Sequence, residues 1–440
     1  WDALVKAIDQ LHQSHGSALA RLASIGLSGQ MHGAVLLNRE GQVLRPAILW
    51  NDGRSAKQCE QLARMVPALT TITGNLAMPG FTAPKLLWLQ LHEPDCFAQL
   101  GRVMLPKDWL RLQLTGDAVT DCSDAAGTLW LDTGLREWSP DMLRACQLDP
   151  SHMPSVIEGS GRAGTLLPEW RERWGIDHEV WLAAGAGDNA ASAVGMGLTE
   201  NGQGFVSLGT SGVVFICNDS YRPNAEQAVH TFCHAIPERW FQMSVMLSAA
   251  SSLSWACGVL GFEDEQALVH SAEQSQAQGA AGAPIFLPYL SGERSPLNNP
   301  WALGSWQDLN ATHQRGDLAY AVVEGVGFGL LDGLRTLHGC DTIKTLSLVG
   351  GGSRSAWWAQ LLADTLGVEL LIQASARHAA ALGAARLAML CVGQDVNAVC
   401  QTPAIEQRYA PEPERRDKLA TRYQRFKTLQ ASLSATFTER

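Results

Sequence analysis

Asp188 is the first residue whose setting suggests chemistry. It sits in "AAGAGDNAASAVG" (183–195), after an apolar strand pattern and at the start of a helix of small residues. A carboxylate at a helix N-terminus stays ionised, and aimed into a cleft it suits a general base for a hydroxyl nucleophile. The same residue is equally an ordinary N-cap. Gly185, Gly187 and Ala190 imitate a dinucleotide fingerprint. Against that reading, Asp188 would face the pyrophosphate, and no acid ends the following strand.

Two glycine-bearing turns could hold phosphate without a lysine. In "VSLGTSGVVF" (206–215), Gly209, Thr210 and Ser211 form the tip of a predicted hairpin, small and rich in N–H donors. Such a tip can wrap phosphate oxygens as a backbone nest, or be a plain Gly-rich turn. In "SLVGGGSRSAWW" (347–358), Gly350, Gly351 and Gly352 separate a strand from a helix whose N-terminus favours anionic groups. Three glycines exceed what a tight corner needs, which points to the edge of a nucleotide site. No G-x-x-x-x-G-K-[ST] motif is present, so phosphoryl transfer by a P-loop is closed. A fourth stretch, "SGQMHG" (28–33), places Met31 beside His32 at the end of a predicted strand. Taken alone, His32 reads as a satisfied core or turn histidine.

The elements that must position these residues follow an α/β pattern. Apolar spacing predicts a helix over 1–14, strands in "RLASIGLSG", "GAVLLN" and "QVLRPAILW", then helices near 56–65, 84–92, 108–114 and 140–146. The strand "EVWLAAG" leads to Asp188. A second series opens with "GFVSLGTSGVVFIC", "VHTFCHAI" and "RWFQMSVML", and continues with helices over 248–260, 263–276 and 316–337. After "TLSLVGGGSRS" come a helix at 356–366, the strand "GVELLIQ" and two closing helices. The plan is two α/β halves, each beginning with antiparallel strands, with a seam near 197–204.

Composition narrows the function. The 440 residues exceed one ordinary core, so two domains are expected. A formal net charge of −10 argues against a nucleic-acid partner. Phosphorylated ligands must then be held by backbone N–H groups and a metal. Ten dispersed cysteines, none in a C-x-x-C pair, fit a reduced cytoplasmic protein without zinc or disulfides. The uncharged run 240–262 reads as a strand feeding a buried helix capped by Ser248, and not as a membrane span.

Taken together, phosphate hairpin, glycine loop and carboxylate resemble the FGGY carbohydrate kinases. The likeness covers nearly the whole chain, through "GQMHG", "LRPAILWNDGR", "TGNLAMPGFTAPKLLWL", "SDAAGTLWLD", "GDNAASAVG", "SLGTSGVVF", "FLPYLSGERSPLNNP" and "GGGSRSAWWAQLLADTLG". It implies an α/β fold of two actin-like (ribonuclease H-like) ATPase domains around a central cleft. Residues 1–200 would bind the sugar and 201–440 the nucleotide. The Met-His pair and "LSGERSP" favour the branch acting on D-xylulose, which implies ATP-dependent phosphorylation at O5 with Mg²⁺.

By the same resemblance, Asp188 is the catalytic base and touches the metal indirectly. Met31, His32, Trp50 and Asn189 line the sugar pocket. Thr210, flanked by Gly209 and Ser211, lies against the γ-phosphate, and Gly351, Gly352 and Arg354 bind adenosine. Glu293 and Arg294 are structural, fixing a loop near the cleft. The partners implied are D-xylulose and ATP, with a homodimer as the assembly and neither nucleic acid nor membrane.

The sequence departs from the family pattern in three places. The family opens with an Asp-x-Gly-Thr hairpin, the twin of "SLGTSG", and no such segment precedes Trp1. The expectation is a chain lacking its first few dozen residues; the alternative is a catalytically impaired, actin-like sugar-binding protein. Asp308 and Ala380 replace expected glycine or Gly–Pro patterns, and both are expected to alter nucleotide packing. A kinase for another pentulose or polyol is the competing function.

Overall fold

The structure is a computed structural model and describes residues 1–277, 279, 282–374 and 378–438. Its largest sheet belongs to the second half. Seven strands lie in the spatial order His230–Cys233, Trp240–Met246, Gly212–Asn218, Gly204–Leu208, Thr345–Gly350, Glu369–Gln373 and Ile405–Tyr409. The β-branched and aromatic run from Gly204 to Asn218 folds back at its glycines into a hairpin, with Leu208 opposite Gly212. Gly204–Leu208 then pairs in parallel with Thr345–Gly350, which pairs in parallel with Glu369–Gln373. An antiparallel meander followed by two parallel strands beside its first member is the ribonuclease H-like order. One face is covered by the Arg315–Arg335 helix, whose sequence is apolar nearly all round and which is buried from Ala319 to Leu334.

Shorter strands serve the first half. Ser24–Ile25 runs parallel to Trp181–Ala183, and Ser28–Gly29 runs parallel to Ala186–Gly187. These four segments bring residues some 160 positions apart side by side, and the second pair leads on one strand to Met31 and His32 and on the other to Asp188. The expected strand "QVLRPAILW" is instead irregular, meeting "GAVLL" only through bridges of Ala34 with Ile48 and Leu37 with Val43. Val35–Leu37 pairs with Arg102–Met104. Pro46 lacks an N–H and cannot continue a ladder, which accounts for the interruption.

Two helices meet across the seam. Asp188–Gly195 lies against Ala379–Cys391 with almost no side chain between them. A Cβ built on Gly195 would stand 1.9 Å from the Ala379 carbonyl oxygen, and one on Gly383 would stand 1.8 Å from that of Ala191. Ala380, in the first turn of the second helix, is half-buried against the cluster that includes Ala190 and Ala191 of the Asp188 helix. Asp308 departs from expectation. Its φ is +63°, and it pairs with Arg425 on the surface at 2.7 and 2.9 Å.

In the uncharged run, Trp240–Met246 is a strand and Ala250–Leu260 a helix. No helix among the described residues is long and apolar enough to cross a membrane. Ala249, not Ser248, occupies the N-cap position, and its side chain makes no cap. The helix start is satisfied from elsewhere, by the hairpin described below.

Candidate active site

The chain leaves the Ser28–Gly29 strand and turns at once. His32 adopts φ +71°, an uncommon conformation for a residue with a Cβ. Its Nδ1–H donates to the Gly127 carbonyl at 2.6 Å; because a carbonyl only accepts, Nε2 is left as an acceptor. Burial holds His32 at about 4, so the ring is neutral at physiological pH; the Gly127 bond opposes this, and the charges of Lys85 and Arg294 reinforce it. Met31 is buried against two glycines. A Cβ on Gly187 would lie 2.8 Å from Met31 Cγ, and one on Gly127 would lie 2.7 Å from Met31 Cε. Met31 thus stands directly beside the residue preceding Asp188, and His32 shares Gly127 with it.

Asp188 is the first residue of its helix. Its Oδ1 accepts the Asn189 backbone N–H at 2.8 Å and the Asn189 side-chain amide at 3.1 Å. The helix start was expected to keep this carboxylate ionised. Burial instead raises its pKa above the ordinary carboxylate value, with the Asn189 bonds working against the shift. A raised pKa makes a better proton acceptor. Trp50 is 58 % exposed and borders the same region, since a Cβ on Gly80 would meet its carbonyl.

Several contributors were not foreseen. Lys85, within the Thr82–His92 helix, is buried and donates to the carbonyls of His32 (2.8 Å) and Ile48 (3.3 Å). One ammonium therefore ties the His32 turn to the segment leading to Trp50. Burial lowers Lys85 to about 8, with Asp52 opposing. Phe81 packs edge-on against His32 at 4.6 Å and against His230 at 5.6 Å. His230 Nδ1 bonds Asn75 Oδ1 at 2.9 Å, and its Nε2 accepts from Arg294 at 3.2 Å. Asn75 Nδ2 also donates to the Thr231 carbonyl, which fastens the first half to the edge strand of the large sheet. Glu293 Oε1 accepts the N–H groups of Leu247 and Arg294, each at 2.8 Å, and burial raises the carboxyl to about 7. A lysine inside an apolar helix face was the available signal for Lys85; Phe81, His230 and Asn75 are visible only through their neighbours, whereas Glu293 and Arg294 were expected as residues that fix a loop near the cleft.

The second group lies at the carboxyl ends of the two central parallel strands, where α/β sheets bind ligands. Leu208 is opposite Gly350, so the 209–211 tip and the 351–354 turn are adjacent. Gly350 has φ +95°, and a Cβ there would stand 2.5 Å from the Leu208 carbonyl oxygen, so glycine is required. Gly352 is similarly crowded by Trp358 and Leu208, whereas Gly351 faces open space. At the tip, the carbonyl of Thr210 accepts from Ala249 N and Ser251 N, and that of Gly209 from Ala250 N. These bonds satisfy the start of the Ala250–Leu260 helix. Among the described residues, none occupies the N–H groups of Thr210 or Ser211, which remain as donors beside an exposed hydroxyl. Arg354 is exposed at the end of its turn.

No hydrogen bond among the described residues joins the two groups. A groove of about 580 Å³, lined by Arg335, Lys344, Glu369, Arg416 and Tyr423 among others, opens at the opposite ends of the same parallel strands. It does not include any candidate residue. No cluster of three His, Cys, Asp or Glu side chains able to hold a metal occurs among the described residues.

A ribonuclease H-like sheet with phosphate-sized loops at its carboxyl edge, joined to a half that presents a carboxylate and a neutral histidine, defines a sugar kinase of the two-domain actin-like ATPase fold. The N-terminal domain profile of the FGGY family of carbohydrate kinases matches residues 1–195, and its C-terminal domain profile matches residues 204–391. The chain belongs to the FGGY family of carbohydrate kinases. It is 47 % identical to the xylulose kinase of Escherichia coli (strain K12) over 98 % of this chain and 89 % of that one. To the xylulose kinase of Klebsiella pneumoniae it is 47 % identical over 94 % of this chain and 84 % of the relative. The crystal structure of a xyloylose kinase from Brucella ovis superposes with a TM-score of 0.93 at 45 % identity, covering 98 % and 88 % of the two chains.

Proposed function

We propose that this protein transfers the γ-phosphoryl group of ATP to the O5 hydroxyl of D-xylulose, giving D-xylulose 5-phosphate and ADP. The observation that carries the reading is the direct packing of Met31 on Gly187, the residue before Asp188, with Met31 and His32 sharing Gly127, in a chain about half identical to xylulose kinases. In the reaction, the Asp188 carboxylate takes the O5 proton as O5 attacks the γ-phosphorus, and the bond to the β–γ bridging oxygen breaks with ADP as leaving group. His32 Nε2 accepts a hydrogen bond from a sugar hydroxyl, the Asn189 amide orients a second oxygen, and Met31 and Trp50 supply apolar walls. The free N–H groups of Thr210 and Ser211, with Gly209, receive the γ-phosphate. Gly351, Gly352 and Arg354 take the adenosine.

In this reading, residues 1–200 form the sugar-binding domain and residues 201–440 the nucleotide-binding domain, and the protein works in the cytoplasm. A divalent cation, Mg²⁺, would neutralise charge on the nucleotide phosphates. With no three-ligand cluster among the described residues, the phosphates themselves would hold it, and Asp188 would meet it only indirectly. A coupled ADP-release assay with D-xylulose, ribulose, gluconate and glycerol tests the reading. Turnover confined to D-xylulose supports it, whereas preference for another substrate, or no turnover at all, overturns it. Gluconate belongs in the panel because a gluconate kinase from Lactobacillus acidophilus shares the fold with a TM-score of 0.89 at 25 % identity.

A further inference from the structure

The four residues that lead to Asp188 are gripped from behind at both ends. At the start, the Arg111 guanidinium donates to the carbonyls of Ala184 and Val119. At the end, the Gly187 N–H donates to Ser123 Oγ at 3.2 Å. The Ser123 hydroxyl in turn donates to Asp121, whose carboxylate also accepts the backbone N–H groups of Ser123 (2.8 Å) and Asp124 (3.2 Å). Lys107 closes the group, with Nζ 2.5 Å from Asp108, 2.6 Å from Asp121 and 3.4 Å from Asp124; Arg111 lies 2.8 Å from Asp108. All five charged side chains are 1 % exposed or less.

Buried ion clusters are seldom the most stable way to fill a core, so one this dry is best explained by what it holds. It stands behind both approaches to the candidate site. A Cβ on Gly29 would meet Lys107 Cβ at 2.9 Å, so Lys107 also backs the strand that feeds Met31 and His32. Gly185, in the middle of the gripped turn, has φ +83° and would place a Cβ 2.2 Å from the Leu27 carbonyl oxygen. The turn is thus pressed against Leu27, between the Ser24–Ile25 and Ser28–Gly29 strands, and pinned at the Ala184 carbonyl and the Gly187 amide.

We propose that Ser123, backed by the Asp121–Lys107 pair, is a positioning residue for phosphoryl transfer: it fixes the Ala186–Gly187 peptide, one residue before Asp188, and so aims the carboxylate. The proposal rests on the assignment of Asp188 as the base. A base displaced by even 1 Å loses much of its effect. Of the charged groups on elements packed against the Asp188 turn, Asp124 on the Cys122–Ala126 helix feels the charge of Asp188, with Lys107 3.4 Å from its carboxylate. The short strands Ser28–Gly29 and Ala186–Gly187 contribute none. Arg386 on the Ala379–Cys391 helix binds the carbonyls of Val194 and Gly195 at the far end of the helix.

The test is Ser123→Ala in the full chain, assayed by ADP release, with calorimetry of sugar binding and thermal unfolding alongside. We expect kcat to fall by about ten- to a hundredfold, on the scale of a misplaced general base, with both KM values within about twofold. The acid limb of the kcat–pH profile should also move to lower pH. Burial raises the Asp188 carboxyl, and a loosened turn admits water and relieves that effect. A uniform fall across pH that tracks the folded fraction overturns the proposal, as does an unchanged kcat. Ser123→Cys, close in shape but a poorer acceptor, should lose less, and it carries the test if Ser123→Ala does not fold. Asp188→Asn separates the two ideas. If that variant still turns over, the base assignment fails; if it is dead while Ser123→Ala is normal, only the positioning role fails.

Discussion

The two groups of candidate residues are built on different principles. On the nucleotide side, sheet register does the work: pairing of Leu208 with Gly350 is enough to set the 209–211 tip beside the glycine turn. On the sugar side, no single element holds more than two of the residues. His32 is placed by Gly127, Lys85 and Phe81, and Asp188 by a turn pinned through Ser123 and Arg111. A register-built site tolerates changes that spare its backbone, whereas a contact-built site depends on each side chain that touches it. The difference sets what each kind of substitution should do.

The largest effect should come from Asp188→Asn. Loss of a general base is expected to cut kcat by about a thousandfold or more, with sugar binding still measurable by calorimetry. Equal loss of sugar binding would make the carboxylate structural and dissolve the contrast at its centre. Next comes His32→Leu, which removes the Nε2 acceptor and leaves a sugar hydroxyl without a partner. KM for the sugar should rise about ten- to a hundredfold while KM for ATP stays within twofold. A parallel rise for ATP would mean the two groups are not separable.

The nucleotide side is sharpened by a matched pair of glycines. Gly350→Ala should lower stability by about 1–3 kcal/mol, because its φ of +95° and the Leu208 carbonyl both oppose a Cβ. Gly351→Ala has room and should leave the melting temperature unchanged, yet raise KM for ATP where the added methyl meets the nucleotide. Equal destabilisation by both would remove the distinction between a glycine needed for the fold and one needed for a ligand.

The smallest effect is a pH slope. Burial holds His32 at about 4, against 6.5 for an ordinary histidine. Between those values the unfolded chain binds a proton that the folded chain refuses. The His32 contribution to stability therefore declines as pH falls from about 6.5 to about 4, and is constant above. Urea unfolding of the parent and of His32→Leu at pH 5 and pH 7 reads it; the difference in stability between the two pH values should shrink in the variant.

Most of the fold was legible from periodicity. The hairpin 204–218, the strand into the glycine turn and the helices at 56–65 and 356–366 stand where alternation and helical spacing put them. The irregular 42–50 segment was misread as a strand, because an apolar run with one proline resembles an edge strand until pairing is known. Asp188, Met31, His32 and the loop glycines could be singled out because each interrupts a local pattern. Lys85, Asn75, His230 and Ser123 could not, since their partners lie 37 to 156 positions away.

By itself, then, the sequence determined most of the element order, the two glycine-bearing turns and the carboxylate at a helix start, all set by interactions within a few residues. Only the tertiary structure decided that His32 is neutral with Nε2 left as an acceptor. It likewise decided that burial raises Asp188 against the effect of its helix, that the 379–391 helix packs on that of Asp188, and that Ser123 holds the turn. Each of these depends on desolvation or on a partner brought from far along the chain, and neither leaves a period or a motif in the residues themselves.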